Sequence, residues 1–428
     1  MSSNEQVNVR RRIVTSNSIG PDATLLGDER GLESLGRENL ERRILYARYE
    51  QLLKKIRTET RRVGSDRVMV ALQDRDASRV QSELARQATD VRPLHSGGLE
   101  AKFGTGLRGG DWFGWLKSTL NWVDRENAHP ILRASETVPA KFPDVARVAM
   151  AGDWGTGLYG APEIAKQIRR LGKFQLLLHL GDVYYAGTKE EVQERMLDLW
   201  PRDAGEMTRV LNSNHEMYSG GYGYFDLELP AFGQQSSYFA FQNNHWLLMF
   251  LDTAYVDHDI DADQVGWLNA VIEKGDRRKI VMFSHQQLFS RLDCQGPKLK
   301  KALLHLLESR MITAWYWGHE HQCVLYDPHP DYKLVARCLG NGGIPEPRKD
   351  IVTQSETERI VDSLSWKRLA GTENSPSCLV LDGPNEFVEG EEHKFGPHGF
   401  MTLDFDGPVL KERVISANGA ELFVNEVK

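Results

Sequence analysis

With 428 residues, 40% hydrophobic and 26% charged, the chain has the apolar mass for a large buried core and the make-up of a globular protein. A formal charge of −7 argues against a general nucleic-acid binder, and no apolar run approaches the ~20 residues of a membrane-spanning helix. The four cysteines, Cys294, Cys323, Cys338 and Cys378, have no CxxC spacing and read as reduced core thiols rather than disulfides or a zinc site.

Residues 1 to about 35 are polar with scattered Gly and Ser and read as a flexible tail. Met1 to Ile19 lacks the apolar core of a secretory signal, so a cytoplasmic location is expected. From Leu40, apolar residues Ile44, Leu45, Tyr49, Leu52, Leu53 and Ile56 recur at helical steps. The opposite face is basic. Such a face serves an anionic surface or partner, or simply faces solvent on a helix packed against the rest, and the second reading is adopted. A second helix is expected over Ser65 to Thr89. The glycine-rich stretch Gly97 to Gly110 follows no strong strand and reads as a linker, not a phosphate loop. Asp111 then caps a helix carrying Trp112, Trp115 and Trp122, whose aromatic stripe is expected to dock on the core.

An alternating α/β region starts near Val145. Its predicted strands are Val145 to Met150, Leu176 to Leu178, a shorter stretch before Leu211, Lys279 to Phe283, and Ala314 to Trp317. Predicted helices are Pro162 to Leu171, Glu190 to Trp200, Asp261 to Glu273 with an Asp cap, and Gly296 to Glu308. Tyr238 to Asp252 reads as paired strands turning at Asn243-Asn244. Gly340 to Gly343 is a turn, residues 346 to 398 are polar without a clear pattern, and Phe400 to Ile415 reads as a closing hairpin.

Each of the five strand ends delivers metal-ligand residue types: Gly152-Asp153-Trp154-Gly155, Gly181-Asp182-Val183-Tyr184-Tyr185, Asn214-His215-Glu216, Ser284-His285 and Gly318-His319-Glu320-His321. The 29 residues from Asp153 to Asp182 are close to one βαβ unit of ~30 residues. In open α/β sheets, ligands bind beyond the carboxyl ends of strands.

In order and spacing these blocks resemble the calcineurin-like metallophosphoesterases and, within them, the purple acid phosphatase branch, over roughly residues 145 to 345. The resemblance implies an α/β fold: a four-layer β-sandwich flanked by helices, here with an amino-terminal helical extension. The expected division is a flexible tail (1–35), a helical extension packed on the core (36–138) and a metallophosphoesterase catalytic domain (139–428).

The resemblance further implies two metal ions. Asp182 bridges them; Asp153, Tyr185 and His321 hold the first; Asn214, His285 and His319 hold the second. Two carboxylates and a phenolate suit Fe(III), and the less charged second site suits divalent Fe, Mn or Zn. Tyr184 competes for the phenolate role, but the family spacing favours Tyr185, with Tyr184 pointing into packing. Gly155 stands where relatives outside this branch carry a histidine. His215 is implied as the general acid, supported by Glu216.

The activity implied is hydrolysis of phosphate esters by a metal-bound hydroxide. The alternatives are a phosphodiesterase with the same metal centre and a non-catalytic regulatory binding protein. The implied partner is a small phosphate-ester substrate, with no nucleic acid and no membrane span. Two departures stand out. Ser213 replaces a glycine and is expected to alter only the backbone turn, and Gln286 replaces a second histidine that usually contacts substrate. Tyrosines between Met217 and Phe225 stack on an organic group or pack, and Asn341 approaches the metals or forms a turn. His179, His245, His258, His305, His329, His393 and His398 are expected to be ordinary.

Overall fold

The computed structural model describes residues 128–428 except 185, 257, 276–277, 293–295, 347, 349–354, 389–391 and 428. The expected tail and the helices from Leu40 to Val123 lie outside the described residues, as does Cys294. Residues 128–138, the end of the expected helical extension, have no regular structure, and Ile131 and Ala134 pack against the core.

In chain order come β1 (Ala140–Lys141), β2 (Val145–Ala151), α1 (Ala161–Leu171), β3 (Phe174–His179), α2 (Lys189–Glu191), β4 (Gly205–Val210) and α3 (Asn214–Met217). Next are α4 (Leu229–Ala231), β5 (Phe239–Gln242), β6 (Trp246–Phe250), α5 (Ala262–Lys274), β7 (Lys279–Ser284), α6 (Pro297–Ala302), α7 (Leu304–Glu308) and β8 (Ile312–Trp317). The rest is strand: β9 (Cys323–Tyr326), β10 (Val335–Leu339), β11 (Glu356–Val361), β12 (Leu364–Leu369), β13 (Cys378–Asp382), β14 (Gly399–Asp406), β15 (Val409–Ser416) and β16 (Glu421–Val427).

The strands form a six-stranded sheet, β16-β15-β14-β2-β3-β4, and a ten-stranded sheet, β1-β5-β6-β7-β8-β10-β9-β13-β12-β11. Period-two alternation along each strand explains why they stack. In β2, Val148 and Met150 face the other sheet while Ala149 and Ala151 face out. In β7, Val281 and Phe283 face in while Ile280 and Met282 face out; in β8, Ala314 and Tyr316 face in, Trp315 and Trp317 out.

Helices cover both outer faces. Ile164 and Ile168 of α1 bury against Leu177 and Ala149, and Leu268 and Val271 of α5 join Met282 and Trp315. The result is helix, sheet, sheet, helix: the four-layer sandwich expected. Every strand buried on two faces is a near-continuous apolar run, which is why the sequence displays it. Among the described residues no helix is long and apolar enough to cross a membrane.

Local chemistry sets the boundaries. Pro162 opens α1, and Asp261 caps α5 by accepting from Gln264 N at 2.9 Å. β5 and β6 pair antiparallel around the expected turn. Three expectations are revised. Glu190 to Trp200 is the short α2 followed by a π-helical stretch, Val192–Leu197. Gly296 to Glu308 breaks into α6 and α7 at Leu303. The polar stretch 346–398 contains β11, β12 and β13, which extend the larger sheet; β11 is an exposed edge strand, so its charged residues carry no burial signal.

Candidate metal centre

The parallel strands β2, β3 and β4 of one sheet, and β6, β7 and β8 of the other, end where the two sheets meet. The turns beyond them are tight. Asp153 (φ 57°), Asp182 (φ 76°), His319 (φ 72°) and His321 (φ 50°) all hold left-handed backbone, which costs a non-glycine residue about 1–3 kcal/mol. Cross-loop hydrogen bonds fix them: Asp153 N to Gly181 O at 2.9 Å, and Gly318 N to His285 O at 3.1 Å. Gly181 (φ 104°) has no substitute, because a Cβ there would lie 2.7 Å from His285 Nδ1 and 2.8 Å from Ser213 Cβ.

Three expected second-site residues come together. His285 donates from Nδ1 to Leu180 O at 2.8 Å, which leaves Nε2 as a lone pair. That lone pair faces Asn214 Oδ1 at 2.9 Å, Asp182 Oδ1 at 3.2 Å and His319 Nδ1 at 3.2 Å. Asn214 donates from Nδ2 to the Tyr218 hydroxyl at 2.9 Å, which turns its oxygen toward the cluster.

The expected first-site residues also converge. Asp153 Oδ1 lies 3.4 Å from His321 Nε2, and Asp153, Asp182 and His321 form a group with metal-ligand spacing. Tyr185 lies outside the described residues. Tyr184, expected to point into packing, instead brings its hydroxyl into this group: 2.9 Å from Asp182 Oδ2, 3.1 Å from His321 Nε2 and 3.3 Å from Asp153 Oδ1. Spacings near 3 Å are those of donor atoms ~2.1 Å from a shared ion.

His215 sits between the tilted rings of Tyr184 and Tyr218, at centroid distances of 4.4 and 4.8 Å, with Nε2 3.7 Å from Asp182 Oδ2. Glu216, expected to support His215, accepts from Val183 N at 3.0 Å and Asp182 N at 3.4 Å and so braces the loop carrying Asp182. Ser213 does more than shape the turn: its hydroxyl bonds both Asp182 Oδ1 and Glu216 Oε2. Of the loop tyrosines, Tyr224 is buried with its hydroxyl on Val210 O, and Tyr222 packs edge-on to His129. Asn341 bonds Pro397 O at 3.0 Å and belongs to the turn.

Glu346 escaped the sequence reading, and His258, expected to be ordinary, instead meets a site histidine. Glu346 faces His321 Nδ1 at 3.3 Å, and His258 Nε2 lies 3.4 Å from His319 Nε2. No spacing signal marks either, because each arrives from a separate loop.

The donor set fits metal ions. Burial pushes the Asp153 carboxyl well above its usual range, with the Asp182 charge adding to it. Burial acts the same way on Asp182, but the imidazoles of His215 and His285 outweigh it and hold that carboxyl low. The pair therefore shares a proton unless a cation is present. Burial lowers the His321 imidazole, yet hydrogen bonds to Asp182 and Glu346 raise it to about 10, so a proton stands where a cation fits. Burial pushes His285 down to about 4, keeping it in the neutral form that ligates metals. Lone pairs of His285, Asn214, Asp182 and His319 facing one another, buried, call for a positive charge between them.

Residues 146–323 match the calcineurin-like phosphoesterase family. Purple acid phosphatase 21 of Arabidopsis thaliana is 26% identical over 237 residues, 50% of this chain and 52% of that protein, so the chain spans about half the length of this curated relative. Similar solved structures include the purple acid phosphatase PPD1 from yellow lupin (Lupinus luteus) seeds, with a TM-score of 0.48 and 16% identity over 67% of this chain and 54% of that one. Another is GAP50, the anchor in the inner membrane complex of Plasmodium, with a TM-score of 0.45 and 15% identity over 66% of this chain and 89% of that one.

Proposed function

We propose that this chain, which carries a calcineurin-like phosphoesterase domain over residues 146–323, hydrolyses phosphate esters with two metal ions held at the strand ends. The observation that carries the reading is the convergence of Asp182, Asn214 and His319 on the bare Nε2 of His285. In this reading Asp153, His321 and a tyrosine phenol would hold the first ion, Asn214, His285 and His319 would hold the second, and Asp182 would serve both. Family spacing favours Tyr185 for the phenol; the Tyr184 hydroxyl beside Asp153, Asp182 and His321 supports Tyr184 instead. The charged first set suits ferric iron, and the amide and imidazoles suit divalent Fe, Mn or Zn.

When bound, the two ions would make water reactive at neutral pH and neutralise the phosphoryl oxygens. The chain's own residues orient and move protons. The Leu180 carbonyl fixes the His285 tautomer, and the Tyr218 hydroxyl fixes the Asn214 amide. His215, clamped between two tyrosine rings, carries a proton on Nε2 to the departing alkoxide. Buried Glu216 accepts from the N–H groups on either side of the Asp182 Cα, so the Asp182 carboxylate keeps its position.

The test is hydrolysis of aryl phosphate monoesters and diesters by the metal-loaded chain, before and after chelation. Activity lost on chelation and restored by added ions is expected. Metal-loaded chain that cleaves neither class would assign the fold to binding, not catalysis.

A further inference from the structure

His258 sits in the loop between β6 and α5, and its backbone is left-handed (φ 62°). The loop is held at several points. Asp252 accepts from Ala254 N at 3.1 Å and Tyr255 N at 2.9 Å, and receives Asn212 Nδ2 at 3.1 Å. Thr253 O accepts from Asp259 N at 3.3 Å, immediately beside His258. Thr253 is in turn clasped by Gln286: the Gln286 N–H donates to Thr253 Oγ1 at 3.1 Å, and the Thr253 hydroxyl donates to Gln286 Oε1. Gln286 is the residue that departs from the family pattern. Here it is buried and ties the β6 loop to the end of β7.

The loop so fixed presents the His258 imidazole edge-on to His319, with ring centroids 5.2 Å apart and Nε2 to Nε2 3.4 Å. Strands β6, β7 and β8 are parallel neighbours, so their ends deliver His258, His285 and His319 side by side. His319 turns Nδ1 to His285 Nε2, the face where an ion fits. A bare Nδ1 requires the ring proton on Nε2, and the acceptor for that proton is His258 Nε2.

We propose that His258 is a positioning residue for the second metal ion, fixing the tautomer and angle of His319 through an imidazole–imidazole hydrogen bond. The proposal rests on the two-ion reading above. It assigns Gln286 a supporting task, since its clasp on Thr253 holds the loop that carries His258.

The experiment fills the first position of the full-length chain with ferric iron and titrates zinc into the second against a competing chelator. Four proteins are compared: wild type, His258→Leu, His258→Gly and His258→Gln. Glycine accepts the left-handed backbone and guards against misfolding in the leucine variant. The expected result is zinc affinity about 10–100-fold weaker in the leucine and glycine variants, iron content unchanged, and most of the loss recovered by glutamine, whose side-chain oxygen accepts the same proton. Unchanged zinc affinity in His258→Gly overturns the proposal. So does equal loss of iron and zinc, which would make His258 a general support of the fold. Wild-type chain that takes up no zinc contradicts the two-ion reading itself, independently of His258.

Discussion

The Ser213 hydroxyl donates to Oδ1 of Asp182 while its oxygen caps α3 by accepting from His215 N at 3.1 Å. One small side chain thus joins the Asp182 carboxylate to the helix carrying Asn214 and His215. Glu216, on the same hydroxyl, is pushed up to about 8 by burial and by the Asp182 charge, so it holds a proton at neutral pH. Ser213→Ala removes the cap and leaves that buried carboxyl short of a partner. We predict a stability loss of about 1–3 kcal/mol by chemical denaturation. An unchanged denaturation midpoint would show the hydroxyl to be incidental.

Replacing His215 separates acid catalysis from binding. His215→Ala should keep both metals and slow esters with poor leaving groups by about 10²–10⁴-fold, while esters with good leaving groups lose little. The measurement is turnover across a series of aryl phosphates of graded leaving-group pKa. An equal loss along the series would give His215 a substrate-binding task instead.

The two adjacent tyrosines make a spectroscopic prediction. A phenolate bound to ferric iron absorbs visible light, whereas zinc, manganese or magnesium in that position gives no such band. The iron-loaded, oxidised chain should be coloured. The Tyr184 hydroxyl lies within 3.3 Å of atoms of Asp153, Asp182 and His321, so Tyr184→Phe should bleach it. Colour kept in Tyr184→Phe and lost in Tyr185→Phe would return the phenolate to the residue that the family spacing selects. A colourless iron-loaded chain would remove the phenolate from the first site altogether.

Most of the six described candidate positions were legible because an apolar strand buried on both faces precedes them: Leu176–Leu178 before Asp182, Val281–Phe283 before His285, Trp315–Trp317 before His319. Asn214 follows the half-exposed β4 and was legible only through the resemblance. The alternating strands and helices were legible from the same apolar runs, and the sandwich followed from the resemblance. What stayed hidden depends on contacts between distant loops. His258 meets His319 across 61 positions and Glu346 meets His321 across 25, and neither partner lies at a spacing that a pattern can detect. The direction taken by Tyr184 depends on the left-handed turn at Asp182, a backbone choice that the residue types Val183 and Tyr184 do not announce. Strand β11 was hidden because it is the polar, exposed edge of its sheet.

The central claim is that Asp182 lies between two ions and is needed by both. Its carboxyl oxygens reach in two directions, Oδ1 toward His285 at 3.2 Å and Oδ2 toward the Tyr184 hydroxyl at 2.9 Å. The most direct measurement is the number of metal ions bound per chain, by elemental analysis after loading and desalting, in wild type and in Asp182→Asn. The account predicts two ions in the wild type, fewer than one in the folded variant, and phosphate-ester hydrolysis falling with them. Two ions and full turnover in Asp182→Asn would contradict it.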